Sequence, residues 1–458
     1  MSRSPQVIDL FSGCGGLSLG FQAAGFNVIG GLDIDESAVS TASYNLSWRF
    51  GNECSHLCSD VREISADVFH GVDRRVPLVV IGGPPCQAYS LIGRAKLRSL
   101  GIERTHTNDH RGFLFEDFLR LAEQLDADAV VMENVPESVD YGGRNIPEHV
   151  SGLLTSLGYN AKWTILNSAD YGVPQLRERV FVVAVKKAIP IDFGFPIPTH
   201  SSAVPYTANF ERRMEKFEDL KYFVQAPSSP DCASDWVTVE DAISDLPSLF
   251  PNSRSRYRLY KPSMRLPYRT PAQNEYQNSM RTWYGQDLSG VTGHSFRRNL
   301  RDFQIFECMH EGDDYTIASE IADRLLEESA RANGINAVDN PDEYERLKQK
   351  IVPPYSRTKF LSKWKKLTRS RPSHTLTAHL GVDSYSHIHP WEPRGISVRE
   401  AARLQSFPDE FLFFRSMNDA FRQIGNAVPP LLAKAIAEEL MTIFTSRERG
   451  VAVNGQSS

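Results

Sequence analysis

Over the first 187 residues, short apolar runs alternate with amphipathic stretches. Val7–Phe11, Val28–Leu32, Leu78–Gly82, Ala129–Glu133, Trp163–Asn167 and Val180–Val185 read as strands, and Phe113–Leu125 and Val150–Leu157 as helices. Strands that are apolar almost throughout and separated by helical patterns predict βαβ units on a parallel sheet covered on both faces. The fold class is therefore α/β, with a doubly wound sheet. From Ala188 the pattern breaks at Pro190, Pro196, Pro198 and Pro205, and Pro- and Arg-rich irregular sequence runs to about Pro267. Inside this second region one helix stands out, Ile317–Ala332, stopped by Asn333-Gly334. Pro429-Pro430 opens a last apolar helix through Ile443, because proline suits a first helical turn. The expected organisation is a first domain, 1–187, completed by a returning helix, 425–446. A smaller irregular domain, 188–424, and a frayed tail, 447–458, account for the rest.

Composition adds mainly exclusions. Of 458 residues, 41% are hydrophobic, 23% charged and 10% aromatic, which excludes a disordered chain, a coiled coil and a collagen-like fibre. No apolar run approaches the roughly 20 residues of a bilayer-spanning helix. The amino terminus lacks a secretory signal, and six cysteines are too sparse for a disulfide scaffold, so a cytoplasmic location is expected. The net charge of −5 argues against a polyanion partner until its distribution is examined. Arg254–Arg301 carries ten lysines and arginines against Glu275 and Asp287, and Arg357–Arg371 carries seven with no acid. Tyr257, Tyr260, Tyr268, Trp283, Tyr284 and Trp364 are interleaved with these basic blocks. Cations for phosphate and flat faces for bases are what a nucleic-acid surface needs, although a solvated loop region would read the same way. Between the blocks, Asp302–Glu345 carries thirteen acids against Arg324 and Arg331, and the helix inside it reads as a solvated insert.

Four motifs carry candidate chemistry. The first strand runs into Asp9-Leu10-Phe11-Ser12-Gly13-Cys14-Gly15-Gly16 before a helix begins, the place where doubly wound folds hold a nucleotide-like cofactor. Asp33, twenty positions after Gly13, has the spacing of a ribose-binding acid. Ser18 stands where a dinucleotide fingerprint has its third glycine, which disfavours a pyrophosphate ligand and leaves adenosyl cofactors without phosphate. A purely structural glycine turn is the plain alternative. Gly82-Gly83-Pro84-Pro85-Cys86-Gln87 presents a cysteine on a stiffened turn outside a strand end, a candidate nucleophile rather than a buried packing residue. A zinc deaminase reading fails because Tyr89 stands where a second cysteine is needed. Glu133-Asn134-Val135 delivers a carboxylate to a strand end, costly there unless paired or used with its proton. Arg177 and Arg179 are two apart and so share one face of a strand. For each of these last two motifs, an ordinary ion pair explains the residues equally well.

Taken with Arg371–Ala378, Arg399–Asp409 and Gly425–Pro430, these elements closely resemble the DNA (cytosine-5) methyltransferase family, over Pro5–Val185 and Thr368–Leu440. Tyr89 is a small departure, since the family more often has phenylalanine there. The resemblance implies a Rossmann-like methyltransferase sheet followed by a target-recognition domain, with double-stranded DNA between the two. It implies that Cys86 attacks cytosine C6, that Glu133 stabilises charge at N3, and that Arg179 holds O2 with Arg177 beside it. The cofactor implied is S-adenosyl-L-methionine, held by Phe11, Gly13, Gly15, Leu17, Asp33, Ile34, Asp60, Val61, Pro85, Asn426 and Val428. Gln87, Ser90 and Arg94 would close on DNA over a flipped base. Restriction-modification is the implied role, with a cognate restriction endonuclease sharing the site, and a monomer is expected. An RNA (tRNA) cytosine methyltransferase, a catalytically silent DNA-binding protein and a nicotinamide oxidoreductase are the rival readings; Ser18 and the Cys86 motif count against the last. Cys54, His56 and Cys58 lack a second half-site for zinc, and His106 and His110 fall in the expected lid. Cys14 reads as packing, and no metal is expected.

Overall fold

A computed structural model describes residues 4–52, 56–85, 114–189, 191–202, 210, 212–249, 261–286, 288–297, 300–357 and 363–454. Two compact units emerge, one of Met1–Trp236, Gln405–Phe407 and Asn426–Ser458, the other of Val237–Leu404 and Pro408–Gly425.

The first unit is built on strands β1 (Gln6–Leu10), β2 (Asn27–Asp33), β3 (His56–Cys58), β4 (Leu78–Gly82), β5 (Ala129–Asn134), β6 (Tyr159–Asn167), β7 (Gln175–Leu176) and β8 (Glu178–Lys186). Seven of them pair in the order β3-β2-β1-β4-β5-β8-β6. β3, β2, β1, β4 and β5 are mutually parallel, whereas β8 runs antiparallel to both β5 and β6. Chain order reverses at β1, flanked by β2 and β4, so the sheet is doubly wound as the alternation of patterns predicted. Both faces are covered. Ile8, Leu10, Val80 and Val130 pack with helices α3 (Leu114–Gln124) and α4 (Ile146–Ser156), after α1 (Gly16–Ala23) and α2 (Glu36–Leu46) in the chain. Val7, Val79 and Val131 pack on the opposite face with Leu17 and Phe21 of α1 and Leu432, Ile436 and Leu440 of the C-terminal helix. Burial on both faces explains why these strands read as continuous apolar runs.

Three expectations about organisation are corrected. The boundary lies after Trp236 rather than after 187, because the proline-broken stretch packs on the sheet. Phe217 and Phe223 stack on Trp163 at 5.5 and 4.9 Å between ring centroids, and Trp236 Nε1 donates to Asp170 Oδ1 at 2.8 Å. Gln405–Phe407 returns to the first unit, although it lies within the stretch assigned to the second domain. The C-terminal helix extends from Pro430 to Asn454 rather than fraying from 447. Gly450 alone does not stop it, since one glycine costs a helix interior only about 1 kcal/mol.

In the second unit, the helix Tyr315–Ala332 is not a solvated insert. It buries Tyr315, Ala318, Ile321 and Ala322 against Phe306, Trp364 and Tyr385, leaving its acids on the opposite side. Trp364 is 0% exposed, so it serves this core instead of offering a face to bases. Several basic positions are likewise committed inside the unit. Lys366 Nζ donates to the carbonyls of Phe306 and Met309, Arg281 pairs with Asp245 while lying over the Tyr268 ring, and Arg357 and Arg369 pair with Asp323 and Glu311. Lys261, Arg265 and Arg269 stay exposed.

Candidate active site

Parallel strands deliver their carboxyl ends to one edge of a sheet, where ligands bind in doubly wound folds. At that edge β1 ends before the glycine turn, β2 ends at Asp33, β4 leads through Gly83, Pro84 and Pro85, and β5 ends in Glu133 and Asn134. Because β8 is antiparallel, its start lies at the same edge: Glu133 pairs with Phe181 and Asn134 with Val180, so Arg177 and Arg179 enter beside Glu133.

The glycine turn is shaped for a ligand. Phe11, Gly13 and Gly15 have φ of 62°, 52° and 88°. The left-handed backbone is easy for glycine, but at Phe11 it costs on the order of 1 kcal/mol. A Cβ on Gly13 would meet nothing within 4 Å, whereas one on Gly15 would lie 2.7 Å from Leu46 Cδ1, so space opens in front of Gly13 and closes behind Gly15. Asp33 Oδ2 accepts from Gly13 N and Oδ1 from Asp35 N, both at 2.8 Å, which leaves lone pairs for hydroxyl donors. Burial pushes its carboxyl above the usual range. Ile34 is 71% exposed, an apolar face next to this carboxylate. Asp60 accepts from Arg62 Nε at 2.9 Å, and Arg62 holds its carboxyl down at about 2. These features fit an adenosine group: apolar faces at Phe11 and Ile34, acceptors at Asp33 and Asp60, and open space at Gly13. Leu17 and Val61 bury their side chains in the core, which leaves only their backbones for a ligand. Pro85 is half-buried and Asn426 exposed. Val428 lies over the turn, since a Cβ on Gly16 would fall 2.4 Å from its carbonyl oxygen.

Glu133 and Arg179 meet at 2.8 Å between Oε1 and Nε, with side chains 12% and 11% exposed. Burial raises the Glu133 carboxyl above its ordinary value, against the lowering pull of Arg179 and then Arg177. Arg177 is buried behind the pair and donates to the Ala427 carbonyl at 3.0 Å. Burial, with Arg179 nearby, drives it below the ordinary arginine value. A carboxyl that resists ionisation beside a fixed cation can hold a proton for a ring nitrogen while the cation faces a carbonyl oxygen. Cys86, Gln87, Tyr89, Ser90, Arg94, His106 and His110 lie outside the described residues, as does Cys54. Among the described residues, no three His, Cys, Asp or Glu side chains gather as a metal site.

The family model for C-5 cytosine-specific DNA methylase matches residues 5–442. The chain belongs to that family. It is a DNA cytosine-5 methyltransferase, and its substrates are DNA and a methyl donor. It is 55% identical over 443 residues to the provisionally named type II methyltransferase M.OihORF3336P of Oceanobacillus iheyensis, covering 96% of this chain and 95% of that one. Identity to the type II methyltransferase M.AgeI of Thalassovita gelatinovora is 32% over 460 residues, covering 95% and 99%. In fold, it matches a crystal structure of a provisionally named DNA modification methyltransferase encoded within an E. coli prophage, with TM-score 0.63, 24% identity and coverage of 96% and 100%.

Two supports of this strand-end cluster have no counterpart in the expectations from sequence. Ser18, noted there only as a missing glycine, donates from Oγ to Asp9 Oδ2 at 2.6 Å beneath the turn. Gln405 donates to the Ala427 carbonyl and receives Gln175, tying β7 to the segment that lies over Gly16. Signals for both were present, Ser18 as a departure from pattern and Gln405 inside a family motif without an assigned role.

Proposed function

We propose that this methyltransferase transfers a methyl group from S-adenosyl-L-methionine to C5 of a cytosine flipped out of duplex DNA, in a type II restriction-modification system. Bound S-adenosyl-L-methionine supplies the electrophilic methyl. Phe11 and Ile34 would enclose its adenine, Asp33 would accept from the ribose hydroxyls, and Asp60 from the adenine amino group. The chain's own residues prepare the base. Cytosine C5 is a weak nucleophile, so Cys86 thiolate adds to C6 while Glu133 gives a proton to N3, leaving an enamine at C5. Arg179 holds O2, and Arg177 fixes the arginine pair from below. After C5 gains its methyl group, loss of the C5 proton to water re-forms the C5–C6 double bond and expels Cys86 as thiolate, and N3 returns its proton to Glu133. Covalent addition thus divides one difficult substitution into two easier steps. Flipping the base costs a few kcal/mol, which contacts from Gln87, Ser90 and Arg94 would offset.

The observation that carries this reading is the largely buried Glu133–Arg179 pair at 2.8 Å, set beside the Gly83-Pro84-Pro85 turn that leads to Cys86. The second unit would recognise the target, and the protein would act as a cytoplasmic monomer, with a cognate restriction endonuclease sharing its site. Labelled-methyl transfer to plasmid DNA and to tRNA, followed by bisulfite sequencing of the plasmid, tests it. The expected result is 5-methylcytosine at one short DNA sequence and none in tRNA; label confined to tRNA rejects the DNA reading.

A further inference from the structure

Gly82, which ends β4, and Gly83, which follows it, are required for different reasons. A Cβ on Gly82 would sit 2.0 Å from the Leu10 carbonyl oxygen, so a side chain there collides with a neighbouring strand's backbone. At Gly83 the backbone sets no such demand. Its φ is not positive, and as the residue before Pro84 it is held extended, a conformation alanine adopts readily. Among the described residues, the atoms a Cβ on Gly83 would meet both belong to Glu133: Oε2 at 2.9 Å and the carbonyl oxygen at 3.8 Å. Real Cβ atoms do not approach an oxygen so closely, and the Oε2 atom is the movable end of a side chain. Alanine at 83 is therefore compatible with the strand but not with the Glu133 carboxylate where it stands.

We propose that Gly83 is a positioning residue for Glu133, its missing side chain forming the wall against which the carboxylate lies on Arg179. The proposal rests on Glu133 acting on the target base. With Arg179 Nε holding Oε1 at 2.8 Å, a methyl group at position 83 must move Oε2 from 2.9 Å to ordinary contact at 3.4 Å, about 0.5 Å, which pulls the carboxylate out of line with the guanidinium. A displacement of about 1 Å at a reacting group costs on the order of 100-fold in rate, so half of that costs about 10-fold.

A double-mutant cycle decides this. Single-turnover methylation at saturating DNA and cofactor is compared for the full-length wild type, Gly83→Ala, Glu133→Ala and the double variant, with melting temperature and the pH profile of the rate measured for each. Gly83→Ala is expected to lose about 10-fold in rate with a near-unchanged melting temperature and an altered pH profile. In the Glu133→Ala background the same substitution should cost nothing further, because the clash is gone. Equal losses in both backgrounds, or a Gly83→Ala enzyme at the wild-type rate, overturn the proposal while leaving the role of Glu133 intact. A Glu133→Ala enzyme at the wild-type rate removes both. Should Gly83→Ala unfold, the double variant ought to regain folding; if it also unfolds, Glu133 is not the atom group that Gly83 accommodates.

Discussion

Asp9 offers a quantitative check on the floor of the glycine turn. It sits in β1 one residue before the strand's end, 1% exposed, with Ser18 Oγ donating to Oδ2 at 2.6 Å from α1 and, among the described residues, no partner for Oδ1. Burial pushes its pKa from 3.8 to about 7, Ser18 pulls it down, and the Asp33 charge adds to the rise. A carboxyl whose folded pKa exceeds its unfolded one stabilises the fold below the unfolded value and loses that contribution as pH rises to the folded value. A shift of about 3 units at 1.36 kcal/mol each penalises the ionised form by about 4 kcal/mol. Asp9→Asn keeps the shape and removes the titration. Urea unfolding of both proteins from pH 5 to pH 8 should show the wild type losing about 3 kcal/mol relative to the variant, levelling above pH 7. A difference that does not change with pH refutes the account of Asp9 as a buried carboxyl that ionises near neutrality.

Two further perturbations test the supports around the site. Gly20→Ala places a Cβ 2.4 Å from Ala433 Cβ and 2.6 Å from both Lys434 N and the Pro430 carbonyl, so it should cost about 1–3 kcal/mol and weaken cofactor binding by calorimetry; unchanged stability means the C-terminal helix does not dock so closely. Arg403→Met strips Asp409 and Asp245 of a 0% exposed partner, and denaturant titration should report a loss of about 3–5 kcal/mol, with near-neutrality contradicting a buried ionic core in the second unit.

The sheet and its motif-bearing strand ends were legible because the apolar runs of β1, β2, β4, β5 and β8 are buried on both faces and end in residues that sheet burial alone does not explain. The proline-broken stretch misled because prolines interrupt periodicity without preventing packing: Phe217 and Phe223 still close over Trp163. Charge misled in the second unit. Arg281 and Lys366 belong to the two basic blocks, yet each is buried, Arg281 paired with Asp245 and Lys366 with the carbonyls of Phe306 and Met309, partners that approach only once the chain has folded. The Glu133–Arg179 contact was expected in type, as a carboxylate needing a partner. What no spacing rule could supply was the gap at Gly83 that the carboxylate fills.

The central claim is that a thiolate at Cys86 adds to the target ring. Its direct test is a duplex carrying 5-fluorocytosine at the methylated position, incubated with the full-length protein and S-adenosyl-L-methionine. Fluorine cannot leave as a proton does, so the addition product is trapped. The account predicts a complex that survives denaturing electrophoresis and maps to a Cys86 peptide. Full methylation of ordinary DNA with no such complex, or an adduct mapped to another residue, contradicts it.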